Sequence, residues 1–219
     1  AKTEQLLVVD IGGGSTELVW IDISKVPKKD RAQSIMRLHG GFVQAKTDIP
    51  AARVVDWISV PLGVATLRDQ FSDVEDDAAR FALMSWFFEE NLQDFTPYQS
   101  IQSQEHFQIV GTSGTVTTVA ASHLGLKRYD RTKVDGLRMT SAQIDKVIQS
   151  YLAMGPGGRR ADPRIGQDRQ ALIMSGAAIL QALMRCWPTD RLSVADRGLR
   201  EGLLYAQMCA DGVLDEGMY

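Results

Sequence analysis

Apolar residues are spaced along this chain at two different periods, and the change of period marks its elements. Gln5-Leu-Leu-Val-Val-Asp10 is a short apolar run that predicts a buried strand. Gly12-Gly-Gly14 interrupts it, and Ser15 to Ile23 alternates well enough to be a second strand, so the glycines form a tight connection between neighbouring strands. Ser24 to Pro50 is polar and irregular, and reads as an extended hairpin or surface insertion. Asp56 to Val60 resumes a strand that Pro61 and Gly63 end. From Asp73 the period becomes helical: Phe81, Met84, Phe88, Leu92 and Phe95 share one face behind acidic Asp73, Glu75, Asp76 and Asp77.

His106 to Val110 is a further strand, followed by Gly111-Thr-Ser-Gly-Thr115 and a helical stretch from Val116 to Leu124. Thr140-x-x-Gln143 has the form of a capping box, with Ile144, Val147, Ile148, Tyr151 and Leu152 as the apolar face behind it. Met154 to Gly166 is rich in Gly, Pro and Arg and reads as a mobile loop. Ala171 to Trp187 is apolar nearly all round, which predicts a buried helix stopped by Pro188. Arg191 to Ala195 is a last short strand and Leu199 to Met208 a last helix. This order predicts an α/β domain, a five-stranded mixed sheet flanked by helices, with one domain over residues 1–219.

Composition narrows the function classes. With 219 residues, 44% apolar and 23% charged, the chain is globular. A net charge of -3 argues against a general nucleic-acid binder. Cys186 and Cys209 have no paired spacing, which fits a reducing cytosol better than a disulfide framework or a zinc site. No apolar run approaches the roughly 20 residues that span a bilayer, and no secretory leader precedes the first strand. That strand begins within a few residues of Ala1, which suits either a trimmed start or a fragment of something longer. Oligomeric state is left open, a homodimer included.

The sharpest chemical signal is Asp10-Ile-Gly-Gly-Gly-Ser-Thr-Glu-Leu18. A strand-end carboxylate, Asp10, suits a hard cation such as Mg²⁺, which takes one or two carboxylates plus phosphate oxygens. Gly12, Gly13 and Gly14 let an anion approach backbone amides, and Ser15 and Thr16 add hydroxyl donors. Glu17 is placed to orient or deprotonate a water aimed at phosphorus. Three glycines alone would read as an ordinary turn; the full string does not. Gly111, Thr112, Ser113, Gly114 and Thr115 lie between a strand and a helix, where they serve equally as an anion site or as plain N-cap chemistry. His39, His106 and His123 have no metal-site spacing, and Phe81, Trp86, Phe87 and Phe88 read as helix packing. Lys127-Arg128 and Arg159-Arg160 are candidate local anion contacts, with a solvated loop the favoured reading of the second pair.

Five blocks, in order, resemble the exopolyphosphatase/guanosine pentaphosphate phosphohydrolase family: DIGGGSTEL, SVPLGVATL, VGTSGT, IGQDRQALIMSGAAIL and SVADRGLREGLLYAQM. The resemblance implies an actin-like, ribonuclease H-like fold. It also implies Mg²⁺ as cofactor, and as substrate inorganic polyphosphate or the guanosine penta- and tetraphosphates. In these terms Asp10 is the cation-associated carboxylate, Gly12 to Ser15 a phosphate loop, and Glu17 the acid near the attacking water. Gly111 to Thr115 is the loop that relatives turn to a nucleotide, and Arg169 reaches a phosphate. Asp196, Arg197, Arg200 and Glu201 fall in the closing block, where helix-end pairing is the reading for Glu201 and an equal one for Arg197 and Arg200. The family's catalytic module has two such domains, and the first, with its own phosphate loop and glutamates, should precede DIGGGSTEL. The chain is thus expected to be the second domain, carrying half of the site. The competing readings are a phosphate- or nucleotide-binding regulatory module without turnover, and a sugar-kinase-like half of the same superfamily.

Overall fold

The computed structural model describes residues 3–31, 34, 35, 38, 51–95, 97, 106–198, 208 and 211. Its strands are β1 (Gln5–Ile11), β2 (Thr16–Asp22), β3 (Arg53–Val60), β4 (Phe107–Thr112), β5 (Arg138–Met139) and β6 (Leu192–Ala195). They form one sheet in the order β3-β2-β1-β4-β6-β5. β1, β2 and β3 are an antiparallel meander, β4 and β6 extend it in parallel to β1, and β5 closes the far edge antiparallel to β6. The α/β class and mixed sheet are as expected. The sixth strand, β5, has two residues and too little pattern to be read from sequence.

The fully described helices are α1 (Val64–Gln70), α2 (Asp77–Glu90), α3 (Gly114–His123), α4 (Arg131–Val134), α5 (Ser141–Ala161) and α6 (Ile173–Cys186). Alternation decides which side of the sheet they cover. Leu7, Val9 and Ile11 of β1 join Leu18 and Trp20 of β2 in the main core beneath the helices. Leu6 and Ile21 face the other way, in a smaller cluster with Ile23, Val26 and Ala52. Trp20 stacks on Phe107 at 5.0 Å and meets Trp187 and Phe95 edgewise or tilted. Leu92 and Phe95 therefore lie in the core as expected, although α2 ends at Glu90 and both sit in the turns after it.

The Thr140–Gln143 capping box forms in both directions, at 3.1 and 2.9 Å. Of the loop expected from Met154 to Gly166, only residues 162–166 lie outside helix. Gly155 takes a left-handed turn (φ 64°) and Pro156 restarts the helix, a position where its missing N–H costs nothing. Helix then runs to Ala161, and Arg159 is buried, not solvated. Its guanidinium donates to the Tyr151 carbonyl and to Asp77, both at 2.7 Å, tying the restarted helix to the start of α2.

Burial alone would raise the Asp77 carboxyl, but the Arg159 and Arg80 hydrogen bonds and charges hold it below its ordinary 3.8. The stability this pair contributes is present above that ordinary value and is lost as pH falls through the lower folded-state value. Asp77→Ala leaves Arg159 buried without its counter-charge. The expected cost is about 2–3 kcal/mol, below the usual range for a fully buried pair because Asp77 is partly exposed. Urea unfolding at pH 7 and pH 3 checks both the cost and its shrinkage in acid.

Among the described residues no helix is long and apolar enough to cross a membrane. The expected last helix, Leu199 to Met208, lies outside the described residues except for helical Met208. Most of Ser24 to Pro50 also lies outside them, as do His39, Arg200, Glu201 and Cys209.

Candidate active site

β1 and β4 run in the same direction with Asp10 opposite Thr112, so both glycine-containing loops leave the same end of the sheet. Ligands collect at such strand ends in α/β folds. The β1–β2 hairpin is closed by the Gly12 amide donating to the Ser15 carbonyl at 2.9 Å. The next two carbonyls turn inward: Gly12 accepts from the Val64 amide, and Gly13 from the Ala65 and Thr66 amides, at 2.9 to 3.3 Å. The first turn of α1 thus spends its free amides on the loop. The loop's own Gly13 and Gly14 amides make no hydrogen bond among the described residues, and both glycines are exposed with open space around them. Occupied carbonyls beside amides with no hydrogen-bond partner among the described residues suit the loop to an anion.

Gly63 makes this approach close enough. A Cβ there would lie 2.4 Å from the Gly13 carbonyl carbon and 2.5 Å from the carbonyl oxygens of Gly12 and Gly13. Thr66 reinforces the contact, accepting from the Gly63 amide and donating to the Gly14 carbonyl. Thr16, whose hydroxyl reads from sequence as a phosphate donor, is fully buried and donates to the Leu62 carbonyl at 2.8 Å. Its place is in the anchoring of the β3–α1 turn.

Above this loop the strand register lines up a polar row. Ser59, Glu17, Asp10 and Thr112 are successive partners across β3, β2, β1 and β4, and directly opposed residues share a face. Asp10 and Glu17 are therefore neighbouring carboxylates on the face away from the helices, an opposition that is unfavourable without a positive charge nearby. Ser15 and Ser59 donate to the Oε1 atom of Glu17 at 2.6 and 2.8 Å. Gly198 passes close beneath: a Cβ there would be 3.4 Å from Thr112 Oγ1 and 3.7 Å from an Asp10 carboxylate oxygen. Thr112 donates to the Arg197 carbonyl at 3.1 Å.

The second loop carries backbone strain. Ser113 has φ 149° and ψ 168°, a region essentially reserved for glycine, and such outliers cluster at functional sites. Its hydroxyl caps α3 by accepting from the Val116 amide at 3.2 Å. Arg169, the last residue of a 3-10 turn (Gln167–Arg169), lies flat against Gly114. Its Nη1 donates to the Gly114 carbonyl and to the hydroxyls of Thr117 and Thr118. Thr115 is buried against Gly176 of α6. Gly12, Gly13, Gly114, Thr115 and Arg169 together line a small cleft of about 180 Å³ between the two loops. The sequence-derived residues are thus brought together, in two groups: the loops and Arg169 around the cleft, Asp10 and Glu17 on the polar row.

A larger depression, about 450 Å³, lies at the opposite end of α3 among Lys127, Met154, Asp162 and Arg164. Its Arg164 is spent on Asp162 at 2.5 Å, and none of the candidate residues reaches it. Asp196, at the end of β6, is held by the Tyr129 hydroxyl at 2.6 Å and by Arg131 at 2.5 Å. Burial and the Asp196 hydrogen bond push the Tyr129 phenol up to about 12. Tyr129 and Arg131 sit in a stretch whose sequence carries no motif.

The sequence profile of the Ppx/GppA phosphatase family matches residues 1–210. The chain belongs to this family. Among its relatives is an Aeromonas salmonicida guanosine-5'-triphosphate,3'-diphosphate pyrophosphatase, 26% identical over 199 residues, which are 91% of this chain and 33% of the relative. A Haemophilus influenzae protein provisionally named as an exopolyphosphatase is 25% identical over 204 residues, 91% of this chain and 51% of the relative. The structure of the Aquifex aeolicus PPX-GPPA enzyme superposes with a TM-score of 0.67 at 26% identity, over 93% of this chain and 57% of that one. The chain thus spans between a third and just over half of the relatives it matches. The fold that these family members share is the actin-like one expected from the sequence blocks.

Ser59, Gly63 and Thr66 are the residues that sequence reasoning passed over. All lie in the SVPLGVATL block, which carried the family resemblance without a chemical role. As for a cation, no cluster of three or more His, Cys, Asp or Glu exists among the described residues. The oxygens present are one carboxylate pair and neighbouring hydroxyls. That set fits Mg²⁺ bound by one or two carboxylates and completed by substrate phosphate and water.

Proposed function

We propose that this chain supplies one wall of a phosphohydrolase site that removes terminal phosphate from inorganic polyphosphate, or the 5′ phosphate from guanosine pentaphosphate. The observation that carries this reading is the pairing of Glu17 and Asp10 on one face beside a loop whose Gly13 and Gly14 amides make no hydrogen bond among the described residues. In-line attack needs a directed water and stabilisation of the charge that builds on the phosphoryl oxygens. Glu17 would take the proton of the attacking water as its oxygen bonds to phosphorus. The bond to the bridging oxygen then breaks, leaving orthophosphate and a chain one phosphate shorter. The Gly13 and Gly14 amides and the Arg169 guanidinium would receive the phosphoryl oxygens, and Ser113 and Gly114 the next phosphate. Asp10 would hold Mg²⁺, which when bound neutralises charge on those oxygens.

The experiment is phosphate release from long-chain polyphosphate and from guanosine pentaphosphate in a Mg²⁺ titration. It should be run on this chain and on the longest reading frame that contains it. An in-line displacement needs both walls of a cleft, and a misplacement of about 1 Å already costs about a hundredfold. The chain alone is therefore expected to turn over at least a hundredfold more slowly than the extended protein. Binding of both substrates without release by either form would favour a regulatory module instead. Asp10→Asn is expected to raise the Mg²⁺ concentration for half-maximal rate, because it weakens one hard ligand. An unchanged Mg²⁺ profile would remove Asp10 from the metal site.

A further inference from the structure

We propose that Ser59 is a positioning residue for Glu17, clamping the same carboxylate oxygen that Ser15 holds and so fixing the orientation of the second oxygen, Oε2. The inference rests on the reading of Glu17 as the water-directing carboxylate. Ser15 reaches Oε1 from the phosphate loop and Ser59 reaches it from the neighbouring strand, at 2.6 and 2.8 Å. A hydroxyl has one proton to donate, so each is fully committed to this bond. Two donors arriving from different elements remove freedom that one alone would leave, in a side chain with three rotatable bonds. Oε2 makes no hydrogen bond among the described residues and keeps its lone pairs for a water.

The backbone makes the clamp dependable. Ser59 is the register partner of Glu17, and Val60, the next residue and the partner of Thr16, is buried. The turn beyond, through Gly63, is pressed against the loop that carries Ser15. Both hydroxyls are thus placed by one packed unit, and a change in the loop would be felt at Oε1 from both sides.

Ser59→Ala is expected to lower kcat about three- to tenfold, the loss of one hydrogen bond to a charged acceptor near the surface, with KM for polyphosphate within about twofold. Ser59→Thr, which keeps the hydroxyl, should restore kcat. In the Glu17→Gln background, Ser59→Ala should have no further effect, because Ser59 acts only through Glu17. The assays use whichever form is active, this chain or the extended protein, with thermal unfolding to confirm an intact fold. Wild-type kcat for Ser59→Ala, or an equal loss in the Gln background, would overturn the clamp. Wild-type kcat for Glu17→Gln would instead overturn the reading of Glu17 itself. A crystal structure of the Ser59→Ala chain gives an activity-free check: Glu17 should leave its present rotamer or lose order, and an unmoved carboxylate refutes the proposal.

Discussion

Glu17→Gln is expected to lower kcat by on the order of 10²–10⁴ while leaving the binding of a phosphate chain within a few fold. The substitution isolates charge from shape. Gln keeps the length of Glu, and its amide oxygen can still accept from Ser15 and Ser59, so the clamp on that side survives. What is lost is an oxygen able to take a proton from water. A residue that acts only in the transition state shows its loss in kcat and kcat/KM together, and not in binding. If Glu17 merely faced solvent at the end of β2, the Gln variant would turn over normally. Steady-state kinetics with polyphosphate over a Mg²⁺ titration separate the two, and normal turnover would return Glu17 to a structural role.

The first loop was legible in sequence because its requirements are local. Three consecutive glycines between two apolar runs need a tight turn, and Asp10 and Glu17 stand at fixed offsets from it. That the two carboxylates share a face also follows from the two-residue period once the runs are strands, since Asp10 is then the cross-strand partner of Glu17. The placement of the second loop beside it depends on β4 pairing parallel to β1. Thr16 shows the limit of such reading. Its hydroxyl is one residue from Ser15 in sequence, but alternation turns it into the core and onto Leu62.

The elements that sequence reading missed share a cause: their evidence is in tertiary contacts. Helix α1 is seven residues long and only Leu67 of it is buried, so it shows no apolar stripe. What stabilises it is the loop, whose Gly12 and Gly13 carbonyls cap its first amides. The Gly/Pro/Arg composition of residues 154–166 has the look of a loop, yet Gly155 followed by Pro156 ends one helix and begins another. Buried Arg159 then finds its partner in partly exposed Asp77, 82 positions earlier. Ser59 is invisible for the same reason, since its partner lies 42 residues away across a strand pair.

Gly63→Ala is expected to be nearly as damaging as loss of Glu17, by a different route. The new methyl would sit 2.4 to 2.5 Å from three backbone atoms of Gly12 and Gly13, none of which can swing aside as a side-chain end would. Either the loop or the start of α1 must move, and the bonds from the Val64 and Ala65 amides to the loop carbonyls lengthen or break. A displacement of about 1 Å at a positioning loop costs about a hundredfold in turnover, and the overpacking itself about 1–3 kcal/mol of stability. Since the loop is read as binding phosphate in both ground and transition states, KM for the phosphate chain should rise along with the fall in kcat. That distinguishes this variant from Glu17→Gln, which should affect kcat alone. Gly157→Ala is the control: it adds the same methyl within the restarted helix, where nothing lies within 4 Å, and should be neutral or slightly stabilising. Kinetics and thermal unfolding of the two glycine variants, measured side by side, test whether the close approach of α1 shapes the loop. Wild-type kcat and KM for Gly63→Ala would mean that the loop's geometry does not depend on that contact.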